Sequence, residues 1–535
     1  MTALAVCICV AWMLPGLVGH DPWKPDEAYT FGLVYHLLQG GGFTVPMLAG
    51  EPFVEKPPLY FITAAFFARA FAWLLPLHDG ARLASGFYVG LAILFVGGAG
   101  RELHGRGRGW VSALIVAGSL GLLVRGHQMI TDTALFTGFA AGAYGLALAL
   151  RRPLAGGVWL GVGVGVGFLA KGLLAPGVLG LAALALPCVA RAWRTRSYAG
   201  TLAVAAACAA PLLAIWPAAL YRESPALFYE WFVLNNFGRF FGWAGLGPKA
   251  TGLFYMDVLP WHAWPAFPLA LWVLWGARVA GFARPAIQLP VVLFLPTLAV
   301  LGFATDGREL YALPMLVPLA LLATPAVDTL RRGAAGALYW FAVMGFTLFA
   351  GVLWIYWSAL ELGMPAKLST HLHTLQPGYT SGVRWIPLVF SLFLCTAWIA
   401  LLARIKRAPE RPVIVWAAGM ALVWGMLMSL FVGYFDTGKS YRSMIVSLAQ
   451  AVPSGECVSS RNLAEPQRAM LHYYAGILTY RDEVPARQRA CNVLLVQGAR
   501  DAEPTVSPGW RKAWDGARPG DNQERFWLYV RATDG

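Results

Sequence analysis

Two acidic clusters stand in an otherwise greasy chain, Pro25-Asp26-Glu27 and Glu55-Lys56-Pro57-Pro58, both within the stretch from His20 to Tyr60. Carboxylates near a lysine supply what an ionic group transfer needs: a base or orienting acid, and a cation to hold an anion. More polar residues recur at the edges of apolar runs. Arg125, His127 and Asp132 lie in RGHQMITDTALF, Lys171-Gly172 separates two runs, His262 lies in PWHAWP, and Arg308, Glu309 and Tyr311 lie in TDGRELYALP. An acid at the mouth of a span is expensive unless it is paired or faces water, so Asp132 is a candidate by default. Each residue also has a structural account. Asp26 and Glu27 suit the positive end of a helix dipole, Asp132 can pair with Arg125, Lys171 can snorkel, Arg308 can pair with Glu309, and His262 suits an interfacial hydrogen bond.

The elements that must carry these residues are mostly membrane spans. Of 535 residues 58% are hydrophobic and 13% charged, and the mean hydropathy is +0.58. This is the composition of a polytopic all-α membrane protein. The net charge of +14 is dispersed in short clusters between apolar runs, which suits the positive-inside rule and argues against a nucleic-acid partner. Runs near 2–19, 82–100, 110–124, 133–150, 155–170, 173–190, 199–220, 258–277, 288–304, 310–328, 336–358, 385–403 and 412–434 predict about thirteen spans. The first has no basic n-region and no clear cleavage site, and reads as a retained signal anchor. Basic clusters such as Arg101/Arg106/Arg108, Arg191/Arg194/Arg196 and Arg404/Lys406/Arg407/Arg411 mark the cytoplasmic side. Residues 20–81, 221–257, 305–309 and the tail from 435 then lie outside, with the N-terminus inside.

The expected division is a transmembrane domain over 1–434, with external juxtamembrane helices in 20–81, and an external α/β domain over 435–535. Tyr29, Phe31, Leu33, Val34, Leu37 and Leu38 make one side of a short helix apolar, as in a segment lying in the membrane interface. The aromatic-rich SPALFYEWFVLNNFGRFFGW around Arg239 reads the same way. The glycines of GVGVGVG at 161–167 sit inside an apolar run without a strand–turn–helix context, and so predict close helix packing rather than a phosphate loop. In the tail, strand-like runs at Cys457–Ser460, Asn492–Val496 and Phe526–Val530 alternate with helical segments at Tyr441–Ala451 and Glu465–Ala475. Cys457 and Cys491 can form a disulfide if the tail faces an oxidising compartment, although sequence alone does not bring them together. The other five cysteines lie in apolar runs and read as packing residues.

PDEAY, then FVEKPPLY, then TD at the start of a span, then a basic residue and Y-x-L-P in a later loop, together resemble the integral-membrane glycosyltransferases of the C fold. Within them the match is to the protein mannosyltransferase-like group, which includes the bacterial lipid A aminoarabinose transferase. The resemblance covers the membrane part, and it implies a transferase that takes a sugar from a polyprenyl (undecaprenyl) phosphate. The acceptor would be lipid A or another envelope glycan or protein, on the external face of the bacterial inner membrane. By motif, Asp26 matches the family's key acid with Glu27 beside it, Glu55 and Lys56 its E-K-P pair, Asp132 its second membrane-edge acid, and Tyr311 its loop tyrosine. Tyr60, Arg125, Lys171 and Arg308 are further candidates for holding the donor. His262 is matched to a histidine near a metal in the aminoarabinose enzyme, so a divalent ion, Zn or Mg, is a candidate cofactor with Glu55 and His262 as ligands. The chain is expected to act as a monomer among membrane lipids.

Arg308 stands where relatives often have lysine, and Ala28 follows Asp26-Glu27 where they have a polar residue; both leave sugar and acceptor open. A polyprenyl phosphate is already a good leaving group, so the site needs positive charge more than a strong acid. Direct displacement with inversion follows, with Asp26 orienting or deprotonating the acceptor and Lys56 holding the departing phosphate. The alternatives are a polyprenyl-phosphate-dependent protein O-mannosyltransferase or other hexosyltransferase and, in another class, a transporter. A transporter would carry charge deep in mid-span and show internal repeats; here the acids gather on one face.

Overall fold

The computed structural model describes residues 1–249, 251–485 and 488–532, with the backbone alone at 278–280. Every apolar run of the sequence contains helix, and eight of the described helices are long and apolar enough to cross a membrane: Leu77–His104, Pro153–Lys171, Arg196–Glu223, Pro285–Phe303, Glu309–Thr329, Arg332–Glu361, Trp385–Arg404 and Arg411–Leu430. The chain is a multi-pass membrane protein. The expected thirteen spans are not all single long helices, because several runs are short or broken. The first run is helical only over Thr2–Met13, ahead of Pro15-Gly16. The run at 110–124 splits into Gly109–Ala117 and Leu120–Arg125, and the run at 258–277 into Phe254–His262 and Ala266–Gly281 around Pro265. The two breaks complete each other. The Leu120 amide donates to the Trp264 carbonyl at 3.0 Å, and the freed Gly118 carbonyl accepts from Trp416 Nε1 at 2.7 Å. In hydrocarbon, where water cannot satisfy freed backbone groups, a broken helix survives only with such partners.

The glycine run packs two helices, as its composition implies. Helices Asp132–Leu148 and Pro153–Lys171 lie antiparallel at such short range that a Cβ on Gly138 would stand 2.6 Å from the Gly167 amide, and one on Gly163 2.5 Å from the Gly142 amide. A tight antiparallel pair brings the first residue of one helix beside the last of the other, which places Asp132 next to Lys171.

Between the first helix and Leu77, the chain forms helix Asp26–Leu38, a small hairpin of β1 (Met47–Leu48) and β2 (Glu51–Pro52), and helix Leu59–Ala70. The tail forms a five-stranded mixed sheet of β3 (Val458–Arg461), β4 (Thr479–Arg481), β5 (Val493–Ala499), β6 (Trp510–Gly516) and β7 (Glu524–Arg531). Its order is β4-β3-β5-β7-β6, with parallel pairing of β3 to β4 and β5, and antiparallel pairing of β7 to β5 and β6. Cys457 and Cys491, just before β3 and β5, form a disulfide.

The tail is bolted to the opening segment. Helix Glu465–Ala475 crosses helix Asp26–Leu38 at Gly32, where an added Cβ would meet Ala469 Cβ at 2.6 Å. Phe31 packs edge-on against Tyr473, with ring centroids 4.6 Å apart. Around this crossing, Asp21 is bound by Arg442 and accepts from Ser440 at 2.6 Å, while Arg468 and Arg481 both reach the Glu51 carboxylate, at 2.7 and 2.6 Å.

Candidate active site

The two acids at the start of helix Asp26–Leu38 point in different directions. Adjacent helical residues are about 100° apart, whereas residues three apart share a face. Asp26 shares its face with Tyr29, and its carboxylate lies 3.7 Å from Arg125. Glu27 turns inward and is fully saturated. It accepts from Arg82 Nε at 2.8 Å, from the Met129 amide at 3.0 Å and from the Trp23 amide at 3.1 Å. Arg82, itself wholly buried, also binds Asp79 and the carbonyls of Leu17, His20 and Asp21. Burial opposes the Glu27 charge, but Arg82 and His20 hold its pKa below the usual glutamate value. The reading of Glu27 as a catalytic partner of Asp26 is therefore replaced by one as the anchor of the opening loop.

Lys56 follows the small hairpin and reaches Tyr29 Oη at 2.5 Å and Glu55 at 3.9 Å. Burial works against its charge, yet the Tyr29 hydroxyl, Glu55 and Asp132 keep its pKa above the lysine range. Glu55 accepts from Arg239 at 2.8 Å; despite burial, Lys56 and Arg239 pull its pKa down to about 2. Arg239 Nε lies 3.8 Å from Asp306, a buried acid that also accepts from Tyr311 Oη at 3.2 Å. Lys171 binds Asp132 and stands 3.7 Å over the Tyr311 ring.

Six of these groups line one cavity of about 330 Å³, with Asp132 behind them on Lys171. Glu55, Lys56, Lys171, Arg239, Asp306 and Tyr311 supply its charged and polar lining, and Leu173, Leu174, Phe237, Phe240, Phe241, Val300 and Leu301 its apolar lining. Three cations, Lys56, Lys171 and Arg239, face three carboxylates, Glu55, Asp132 and Asp306. The carboxylates offset the cost of burying the cations before a ligand arrives. Two side chains retain unpartnered polar atoms here, Arg239 Nε and Asp306 Oδ1.

The structure thus gathers Glu55, Lys56, Asp132, Lys171 and Tyr311, with Asp26 and Arg125 alongside. Asp132 pairs with Lys171, and Arg125 with Asp26, so the expected Asp132–Arg125 pair does not form. Arg308 is exposed and has no ion pair among the described residues, with Glu309 or any other acid. Tyr60 stays out of the cavity: it is buried, and its hydroxyl meets Ser85 Oγ at 2.6 Å. His262 is buried against Gly121, away from the cavity lining, with Nε2 unpartnered. Among the described residues no three His, Cys, Asp or Glu side chains approach closely enough to hold a metal ion. Glu55 is held by Arg239 and His262 packs on Gly121 away from the cavity, so the residues of the expected Glu55–His262 ligand pair are not brought together. Three residues of the site escaped the motifs. Tyr29 read as part of a greasy face, although its spacing from Asp26 was a usable signal; Arg239 was hidden among aromatics; Asp306, in TDGREL, gave way to Arg308.

No family model matches the chain. The chain is similar to proteins named undecaprenyl phosphate-alpha-4-amino-4-deoxy-L-arabinose arabinosyl transferase. That of Sodalis glossinidius is 31% identical over 333 residues, 60% of this chain and 57% of the relative. That of Serratia proteamaculans is 25% identical over 449 residues, 81% and 75% of the two chains, and that of Pseudomonas aeruginosa strain UCBPP-PA14 is 30% identical over 348 residues, 63% and 61%. The match thus spans about three-fifths of the first relative's own length. The crystal structure of ArnT from Cupriavidus metallidurans bound to undecaprenyl phosphate superposes with a TM-score of 0.72 at 16% identity, covering 98% of this chain and 97% of that one. Its apo form gives 0.71 at 17% identity. The chain has this fold, with a bundle of apolar helices followed by a small C-terminal sheet domain.

Proposed function

We propose that the chain is a glycosyltransferase that moves 4-amino-4-deoxy-L-arabinose from undecaprenyl phosphate to lipid A at the extracytoplasmic face of the inner membrane. The observation that carries this reading is the cavity itself. Lys56, Lys171 and Arg239 line it together with aromatic and aliphatic side chains, the lining required by a phosphate on a long hydrocarbon tail. The named relatives and the shared fold support it.

In this reading the lipid phosphate lies among Lys56, Lys171 and Arg239, and Tyr311 donates to it. The acceptor oxygen attacks the anomeric carbon from the face opposite the phosphate, the bond from that carbon to the phosphate oxygen breaks, and configuration inverts. The departing phosphate keeps the electron pair and the cations neutralise it. A phosphate acceptor arrives ionised and needs only orientation; a hydroxyl acceptor gives its proton to Asp26. Arg125, 3.7 Å from Asp26, holds that carboxylate in place.

Mass spectrometry of lipid A from cells lacking the gene, complemented with wild type or with Lys56→Met, tests the proposal. The aminoarabinose-bearing species should appear with wild type and be lost with Lys56→Met at equal protein level. Lipid A unchanged by wild type would overturn the assignment of the acceptor.

A further inference from the structure

A second cavity, of about 670 Å³, adjoins the first and shares Glu55, Asn235 and Arg239 with it. Its lining differs in kind. The C-terminal domain contributes Glu465, Arg468 and Arg481, the hairpin contributes Glu51, and Tyr229, Glu230 and Trp243 complete the rim. Arg468 is only 4% exposed, yet its Nε has no hydrogen-bond partner. Glu51 is held by both arginines, which leaves Glu465 and Glu230 without an ion pair among the described residues. Burial pushes the Glu465 carboxyl above the usual range.

We propose that this second cavity is a saccharide subsite, and that the C-terminal domain is thereby part of the substrate site. Three features argue for a sugar. Planar guanidinium and carboxylate groups bind vicinal hydroxyls in pairs; exposed Tyr229 and Trp243 offer amphipathic ring faces for C–H surfaces; and Arg468, which lines the cavity, keeps a buried Nε without an acceptor. The shared Glu55–Arg239 wall puts a saccharide here within reach of whatever is attached to a phosphate in the first cavity. The close crossing at Gly32 fixes helix Glu465–Ala475, and with it Glu465 and Arg468, relative to the phosphate-binding residues. The inference rests on the transferase reading above. The saccharide comes either from the donor's sugar or from the acceptor.

Removing Arg468 would also break its pair with Glu51, so the informative variants are Glu465→Gln and Trp243→Leu, since Glu465 has no ion pair among the described residues and Trp243 carries no charge. With purified protein in nanodiscs, binding of undecaprenyl phosphate without sugar is measured alongside steady-state transfer. Both variants should bind the sugar-free lipid as wild type does and show a KM raised on the order of tenfold, with kcat little changed. A rise confined to the donor KM assigns the subsite to the donor sugar, and one confined to the acceptor KM assigns it to the acceptor. Unchanged KM values for both substrates with normal lipid binding would overturn the subsite and leave the transferase reading standing. Wild type that neither binds the lipid nor transfers would overturn both.

Discussion

Asp26 and Glu27 are neighbours of the same chemical type, and the proposed mechanism gives Asp26 a chemical role where the structure gives Glu27 an anchoring one, so mutating each separately is a sharp test. In Glu27→Gln, one amide oxygen can replace Oε1 and keep the bonds from Arg82 and the Met129 amide, now 2.8 and 3.0 Å away. The amide nitrogen then faces the Trp23 amide, which loses its acceptor, now at 3.1 Å. A buried amide left unpaired costs ~1–3 kcal/mol, and removing one charge from a buried pair costs up to ~3–5 kcal/mol. Arg82 still keeps Asp79, so a total near ~3 kcal/mol is expected. Because the native-state Glu27 pKa is depressed, its stabilisation is present above the ordinary glutamate pKa and fades as pH falls through the lower, folded value; the comparison belongs at pH 7. Thermal denaturation in detergent should show Glu27→Gln several degrees below wild type, with kcat per folded molecule within about threefold. Asp26→Asn should melt like wild type and lose ~10²–10⁴ in kcat for a hydroxyl acceptor, and less for a phosphate acceptor. Wild-type melting of Glu27→Gln combined with loss of kcat would refute the division of labour.

Two further outcomes follow from the junction between the membrane part and the tail. Asp436 accepts from the Asp21 amide and Trp23 Nε1, and burial together with Asp21 raises its pKa from 3.8 to about 6. An acid with a raised folded pKa is destabilising where it must ionise. Asp436→Asn should therefore stabilise the protein at pH 7, by at most ~3 kcal/mol, and make no difference below pH 4; a pH series of melting curves checks this. Gly32→Ala should push helix Glu465–Ala475, through Ala469, away from helix Asp26–Leu38, at a cost of ~1–3 kcal/mol, seen as faster tryptic release of the tail.

The long apolar runs were legible because hydropathy over some twenty residues is a property of local sequence. The breaks at Gly118 and Pro265 were not, since each is tolerated only through the other's backbone and Trp416. In the tail, helices Arg442–Ala451 and Glu465–Ala475 and three strands matched their patterns. Strand β4 has only three residues, and β6, WRKAWDG, lies at the sheet edge with a largely solvated face; neither shows an apolar alternation. Lys56, Asp132 and Tyr311 were found through motif order. Arg239 joins them only because the chain folds back 184 residues later to meet Glu55, a juxtaposition no local pattern carries.

The bolts between the opening segment and the tail join residues far apart in the order of synthesis. Asp21 waits for Arg442, which lies 421 residues further on. At about 5–20 residues per second, that wait is roughly 20–80 s. For that interval Asp21 stands without Arg442 and Ser440, and Glu51 without either arginine, while Arg82 holds the opening loop through Glu27. A nascent or truncated chain would therefore carry Lys56 and Asp26 in the membrane as an unfinished site. The hairpin beside Lys56 gains its two arginine partners only when residues 435–535 dock, so the setting of the opening segment is the last part of the fold to be fixed.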